Sequence, residues 1–198
     1  MGRVSEVVGR IVAIDTRRST RLVAVDGPGG AGKTVLAAEV AGALRAIGRR
    51  AETVHFDDFF LPSAQRSVTG GPAKPIGGDF DWRRLRDEVL VPLREEQPAR
   101  YSRYDWHLDA LVDVREVLPG ATVLVEGIYT SRRELAPLYD LRIWVECPRH
   151  LRLSRGLERD GEASRARWEL DWMPEENRYV AEHRPRERAD LVVGGAPD

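Results

Sequence analysis

The chain predicts an α/β fold built on a doubly wound parallel sheet, and three observations predict it. Short apolar, β-rich runs recur at Leu22–Asp26, Glu52–Phe56, Ala121–Val125, Leu141–Val145 and Leu191–Val193, with helical patterns between them. The first run passes through a glycine-rich turn into a segment where Leu36, Val40, Leu44 and Ile47 recur at helical spacing. Finally, 198 residues are enough for one sheet covered on both faces, so residues 1–198 read as a single domain.

That turn, Gly27-Pro28-Gly29-Gly30-Ala31-Gly32-Lys33-Thr34, satisfies GxxxxGK[ST] at every fixed position. A phosphate needs a concave set of backbone N–H donors, and residues without Cβ let the main chain wrap that closely. Gly27, Gly29, Gly30, Ala31 and Gly32 therefore form the expected cradle, and Lys33 is expected to reach the β- and γ-phosphates. The helix that follows points its N-terminus at the same place and adds partial positive charge there. Thr34, in its first turn, is placed to ligate Mg²⁺. ATP, as the default nucleotide, and Mg²⁺ are the expected cofactors.

Composition narrows the partners. The net charge is −1 with 32% charged residues, so there is no global basic field of the kind that draws a protein to nucleic acid. Of the basic residues 29 are Arg and 2 are Lys, Lys33 and Lys74, so a lysine inside the phosphate loop stands out. Cys147 is the only cysteine, which excludes an intrachain disulfide and a cysteine-built zinc site and points to a reducing cytoplasm. The segment from Arg3 to Ile14 has the pattern of an amphipathic helix, and no run approaches a membrane span. The expected partner is a small molecule rather than nucleic acid or membrane, and homo-oligomer formation stays open.

Further along, Gly48 ends the first helix of the sheet, and the second strand should end at His55-Phe56-Asp57-Asp58-Phe59-Phe60, on the carboxyl edge where ligands bind in open α/β folds. Adjacent side chains on an extended segment face opposite ways, so one acid of the pair faces the phosphates. Asp57 is the preferred base for an attacking hydroxyl, with Asp58 and a plain capping role as alternatives. Residues 61–78, rich in proline and glycine, read as a mobile cover over the acceptor within an acceptor-side insertion spanning about 61–110. Asp81 is the expected N-cap of a helix carrying Trp82, Leu85, Val89 and Leu93, and substrate contact is equally open for it.

The stretch from Arg100 to Asp109 mixes aromatics, charges and His107. It reads equally as a ligand-recognition segment using Tyr104 and His107 or as a surface hairpin closing the core. Glu126 ends a buried strand and is the second metal candidate after Thr34, since an acid at this edge holds Mg²⁺ through water. Cys147-Pro148 turns the next strand into a helix on which Arg152, Arg155 and Arg159 share one face. Arginine forks brought in by a lid, about residues 149–170, stabilise charge spreading over a transferred phosphoryl group. From Trp168 to His183 the chain reads as helix broken at Pro174, Asp190 begins the last strand, and the tail after Gly194 should fray.

Taken together these motifs resemble the uridine kinase and phosphoribulokinase-like branch of P-loop kinases, over nearly the whole chain from Leu22 to Val193. The resemblance rests on GPGGAGKT (Gly27–Thr34), DDFF (Asp57–Phe60), VLVEGIY (Val123–Tyr129), RGLERD (Arg155–Asp160) and ADLVV (Ala189–Val193), in the family's order. It implies a P-loop NTPase fold of three α/β/α layers, a five-stranded parallel sheet in the order 2-3-1-4-5 and a small helical lid. It also implies transfer of the γ-phosphate of Mg·ATP to a sugar-like hydroxyl, typically the 5′-hydroxyl of a nucleoside such as uridine or cytidine. Asp57 matches the family's catalytic base, Lys33 and Thr34 its phosphate and metal contacts, and Arg155 and Arg159 arginines of its lid.

The acceptor site departs from that pattern. Tyr104-Asp105-Trp106 matches the start of the family's Tyr-Asp-Phe segment, but Asp109 stands where the base-reading histidine would be and His107 comes two residues early. Asp81, in Asp79-Phe80-Asp81-Trp82, is the match to the acid that holds ribose hydroxyls, and Arg152 is a further substrate candidate. Kinase chemistry survives these changes, whereas uridine as the acceptor does not follow. Pantothenate, a vitamin riboside or a sugar would keep Asp57 and change the loops around Tyr104. A nucleotide-dependent regulatory ATPase is the reading from another class, and it would need a group that positions water rather than an alcohol-activating aspartate.

Overall fold

The structure, a computed structural model, describes residues 2–66 and 74–195. Helix α1 (Arg3–Val12) precedes β1 (Arg21–Asp26), α2 (Lys33–Ala46) and β2 (Ala51–His55). A hairpin of β3 (Ala99–Asp105) and β4 (Ala110–Val117) follows, then β5 (Thr122–Glu126), β6 (Leu141–Glu146) and β7 (Leu191–Gly194). Five strands form one parallel sheet in the order β2-β5-β1-β6-β7. Because the hairpin strands stand apart, this is 2-3-1-4-5 when only the strands of the main sheet are counted in chain order.

The strand chemistry explains the layering. The central strands β1 and β5 are buried along almost their whole length, as strands covered on both faces must be. Leu22 and Ala24 of β1 join one core with Val123 and Val125, Leu85, Val89 and Leu93, and Tyr179. The alternate residues Val23 and Val25 join the other with Leu36, Val40 and Leu44 of α2 and with Val7 and Ile11 of α1. The period-two alternation of the strands thus feeds two apolar layers, and α1 docks through its apolar stripe as its spacing predicts.

Two helical runs differ from expectation in a telling way. Across 82–94 and 165–183 the helix includes wide π turns, Leu85–Leu90 and Trp168–Trp172. Each gives way to α-helix next to a proline, Pro92 or Pro174, at the first or second position of the new segment. Proline lacks the N–H that would bond back one turn, and the wider turns absorb that loss, so the helix runs through Pro174 instead of breaking there. Of the 61–78 cover, residues 67–73 lie outside the described residues, as do residues 196–198 of the tail. The described flanks are tied down: the Leu61 N–H donates to Asp79 O at 2.7 Å and the Gly77 N–H to Glu175 Oε1 at 3.0 Å.

One buried polar knot joins the sheet to the last long helix. Asp26, at the end of β1, is fully buried and accepts from the N–H groups of Gly27 and Ser131 and from the Tyr179 hydroxyl. Burial raises its pKa, and these donors together with the Lys33 charge oppose the rise. Tyr179→Phe removes one donor from a carboxyl that has no access to water. Urea unfolding is expected to show a loss of about 1–3 kcal/mol, and an unchanged midpoint would contradict this account of the knot.

Candidate functional site

Parallel pairing brings the strand ends together, with Val25 and His55 both opposite Glu126. The phosphate-type loop leaves β1 here. Gly32, the N-cap of α2, takes φ 90°, a left-handed conformation that a side chain would strain. The loop turns partly on itself, since the Lys33 ammonium donates to Pro28 O at 2.9 Å. Thr34 Oγ1 lies 3.2 Å from Glu126 Oε1, and His55 Nδ1 pairs with the same oxygen at 2.6 Å. The carboxylate contact raises the His55 pKa, a rise to which Asp58 and Asp57 add and which burial opposes. Thr34 and Glu126 are oxygen donors at the loop edge, the chemistry that suits Mg²⁺ held largely by water and phosphate. Among the described residues no group of three or more His, Cys, Asp or Glu side chains could hold a metal alone.

Asp57 and Asp58 lie in a 3₁₀ turn, Phe56–Phe59, instead of the extended segment expected from sequence. With three residues per turn, Phe56 and Phe59 fall on one face and are both fully buried. Their anchoring pushes the two acids outward in different directions. Asp57 is reached by solvent yet ringed by protein, as a group in a concave cleft is. This crowding raises its pKa, and the Glu126 carboxylate adds to the rise, whereas Lys33, His55 and Arg159 pull it down. Burial raises the Asp58 pKa as well, opposed by His55, by the Tyr101 hydroxyl that donates to it at 3.3 Å, and by Arg103 and Arg115 of the hairpin.

The three arginines of the helix Arg149–Asp160 separate. Arg155 Nη1 donates to Gly30 O at 3.3 Å and to Gly195 O at 3.1 Å, clamping the loop to the end of β7. Arg159 pairs with Asp160 at 2.7 Å and lies within electrostatic reach of Asp57. Arg152 is buried and pairs with Glu176 at 3.1 Å, under the loop and away from the aromatic surface on which an acceptor contact was expected. Glu176 in turn accepts from the Gly29 N–H at 3.0 Å.

That aromatic surface lies beside the DDFF turn. The Phe60 ring centroid is 5.4 Å from Tyr104, 4.5 Å from Trp106 and 5.0 Å from Phe80. The Tyr104 hydroxyl donates to Asp109 at 2.6 Å, and Asp109 also accepts from Ser63. These donors hold the Asp109 carboxyl down at about 2, so it stays a carboxylate. Asp81 caps its helix by accepting from the Arg84 N–H at 3.1 Å. His107 is exposed in the β3–β4 turn, where its N–H donates to Asp105 at 2.9 Å.

Sequence reasoning missed four participants: His55, Glu176, Trp168 and Gly195. His55 had a signal, since it ends the same strand that delivers Asp57. Glu176 had none, because its contact with Gly29 crosses 147 positions.

No known protein-family model matches the chain. Among solved structures it is similar to a protein described as a possible uridine kinase from Bacillus stearothermophilus, with TM-score 0.76, 23% identity and 96% of each chain covered. It is also similar to a kinase described for a fructose transport system in Silicibacter sp. TM1040, with TM-score 0.71, 23% identity and 98% and 100% coverage. A third is D-glycerate 3-kinase from Cryptococcus neoformans, with TM-score 0.60, 13% identity and 98% and 96% coverage. The chain therefore shares its fold, a parallel sheet layered by helices, with these solved structures. Two curated relatives, the inorganic pyrophosphatases TTM2 and TTM1 of Arabidopsis thaliana, are 30% and 29% identical over 146 residues. The match covers 70% of this chain and 20% of each relative, so the chain spans about a fifth of their length.

Proposed function

We propose that the protein is a kinase that transfers the γ-phosphoryl group of Mg·ATP to a hydroxyl of a small metabolite, with a nucleoside-like alcohol as the first acceptor class to test. The observation that carries this reading is the placement of Asp57. It lies in the field of Lys33, His55 and Arg159, while its neighbour Asp58 accepts from the Tyr101 hydroxyl of the hairpin. A base for an alcohol must stand next to the phosphates and outside their cradle, and the field of Lys33 at Asp57 supports that role. In this reading Asp57 orients the acceptor hydroxyl and takes its proton at a carboxylate oxygen. The loop amides and Lys33 hold the β- and γ-phosphates, and Arg159 faces the charge that develops on the transferred group. Thr34 and Glu126 would hold Mg²⁺, which would supply charge neutralisation for the transferring phosphoryl group. Phe60, Phe80, Tyr104 and Trp106 offer a stacking wall for the acceptor, with Asp81 and Asp109 as polar groups at its rim.

The test is a coupled ADP-release assay with Mg·ATP and a panel of uridine, cytidine, other nucleosides, fructose, glycerate, pantothenate and vitamin ribosides. The expected result is ADP formation that depends on one acceptor class. Turnover only with a sugar or an acid would keep the kinase and replace the nucleoside. ATP hydrolysis independent of any alcohol would favour the regulatory ATPase. Hydrolysis of added pyrophosphate with no transfer to any acceptor would favour the activity named for the curated relatives.

A further inference from the structure

We infer that Glu176 is an internal stand-in for a phosphate: its carboxylate occupies the phosphate-binding loop in this conformation, and entering phosphates must displace it. The inference rests on the reading of Gly27–Thr34 as a nucleotide-phosphate site. Glu176 is only 3% exposed and lies directly against the loop, where a Cβ built on Gly29 would lie 2.7 Å from Oε1. One oxygen accepts the Gly29 N–H at 3.0 Å and the other accepts from Arg152 Nη1 at 3.1 Å. A loop amide plus an arginine fork is the donor set that binds a phosphate oxygen, and here a carboxylate oxygen takes it. Lys33 is the foremost charge acting on Glu176, while its ammonium donates to Pro28 O within the loop. Arg152 Nε is buried without a partner, so the arginine holds an unused donor beside the loop. Trp168 closes the arrangement, buried in tight contact with Gly29 and against Gly156, where any side chain would overlap its indole.

A polyphosphate placed in the same donors would meet a buried like charge, so the two exclude each other. Displacement couples nucleotide entry to movement of the 165–183 helical run that carries both Trp168 and Glu176. The apparent affinity for phosphates is then the intrinsic one reduced by the fraction of molecules in which Glu176 has left.

Calorimetric titration of wild type, Glu176→Gln and Glu176→Asp with Mg·ADP and with magnesium pyrophosphate tests this. Glutamine keeps the shape and removes the charge, so Kd should fall by about tenfold or more, within the range of such couplings. Aspartate keeps the charge facing Arg152 but falls one methylene short of the Gly29 N–H, so it should also tighten binding, by less. It carries the test if the glutamine variant fails to melt cooperatively. A merely structural role predicts the opposite, equal or weaker binding in both variants, and that result would overturn the inference while wild type still binds. Absence of binding by wild type and both variants would overturn the phosphate-loop reading itself, and this inference with it.

Discussion

Asp57→Asn is expected to cut phosphoryl transfer by about 10²–10⁴-fold while the Kd for Mg·ADP stays within a few-fold of the parent. Asparagine keeps the size and the 3₁₀ turn, whose anchors are Phe56 and Phe59, and loses only the ability to take a proton. The surroundings also predict how the parent depends on pH. Burial and the Glu126 carboxylate raise the Asp57 pKa. The ionised, active form is therefore lost as pH falls through that raised value, and the acid limb of kcat/KM, which reports the free enzyme, should lie above the ordinary aspartate range. The same shift has a consequence for stability. In the folded chain Asp57 binds its proton more readily than in the unfolded chain, so stability declines as pH rises from the unfolded value through the folded one. At neutral pH the ionised carboxylate disfavours the fold, and Asp57→Asn should hold or raise Tm even as it removes activity. Transfer within a few-fold of the parent would move the base elsewhere, Asp58 being the first alternative to substitute.

Lys33→Ala should be as damaging by a different route. Removing a preorganised donor to the transferring group costs about 10²–10³-fold in kcat, and here nucleotide affinity should fall as well. Lys33 also opposes the pKa rise of Asp57, Asp26 and Glu176. Without it all three acids should titrate higher, and the acid limb of any residual activity should move to higher pH. The Asp57 and Lys33 variants thus separate: one retains nucleotide binding and the other does not. Full turnover in Lys33→Ala would count against the site altogether.

Much of this was legible in the sequence because the signals were local. A buried parallel strand, a glycine turn and an amphipathic helix each declare themselves within about a dozen residues, and the five strands came out within a residue or two. The pattern places Glu126 and Asp57 at strand ends, and Glu126 is the last residue of β5 while Asp57 lies two residues beyond β2. What the sequence hid depends on long-range contact. Arg152, Arg155 and Arg159 share a helix face, but Arg152 and Arg155 find their partners, Glu176 and the Gly30 carbonyl, in elements far apart in the chain, whereas Arg159 pairs with adjacent Asp160. An extended strand would put Asp57 and Asp58 on opposite faces, but the choice between them does not rest on that alternation. It is set instead by a 3₁₀ turn whose buried phenylalanines fix the outward directions. Pro174 was read as a break because a proline in isolation is one, and the π turns before it were not visible in residue identities.

The central claim, that the γ-phosphoryl group passes to an alcohol and not to water, is tested most directly by following where that group goes. With the acceptor found in the panel, the products of a Mg·ATP reaction would be separated and quantified by mass spectrometry. One phosphoester of the acceptor is expected for each ADP formed, with inorganic phosphate a minor product, and loss of both ester and ADP in Asp57→Asn. ADP matched throughout by inorganic phosphate, with no phosphoester and no effect of Asp57→Asn, would contradict that claim.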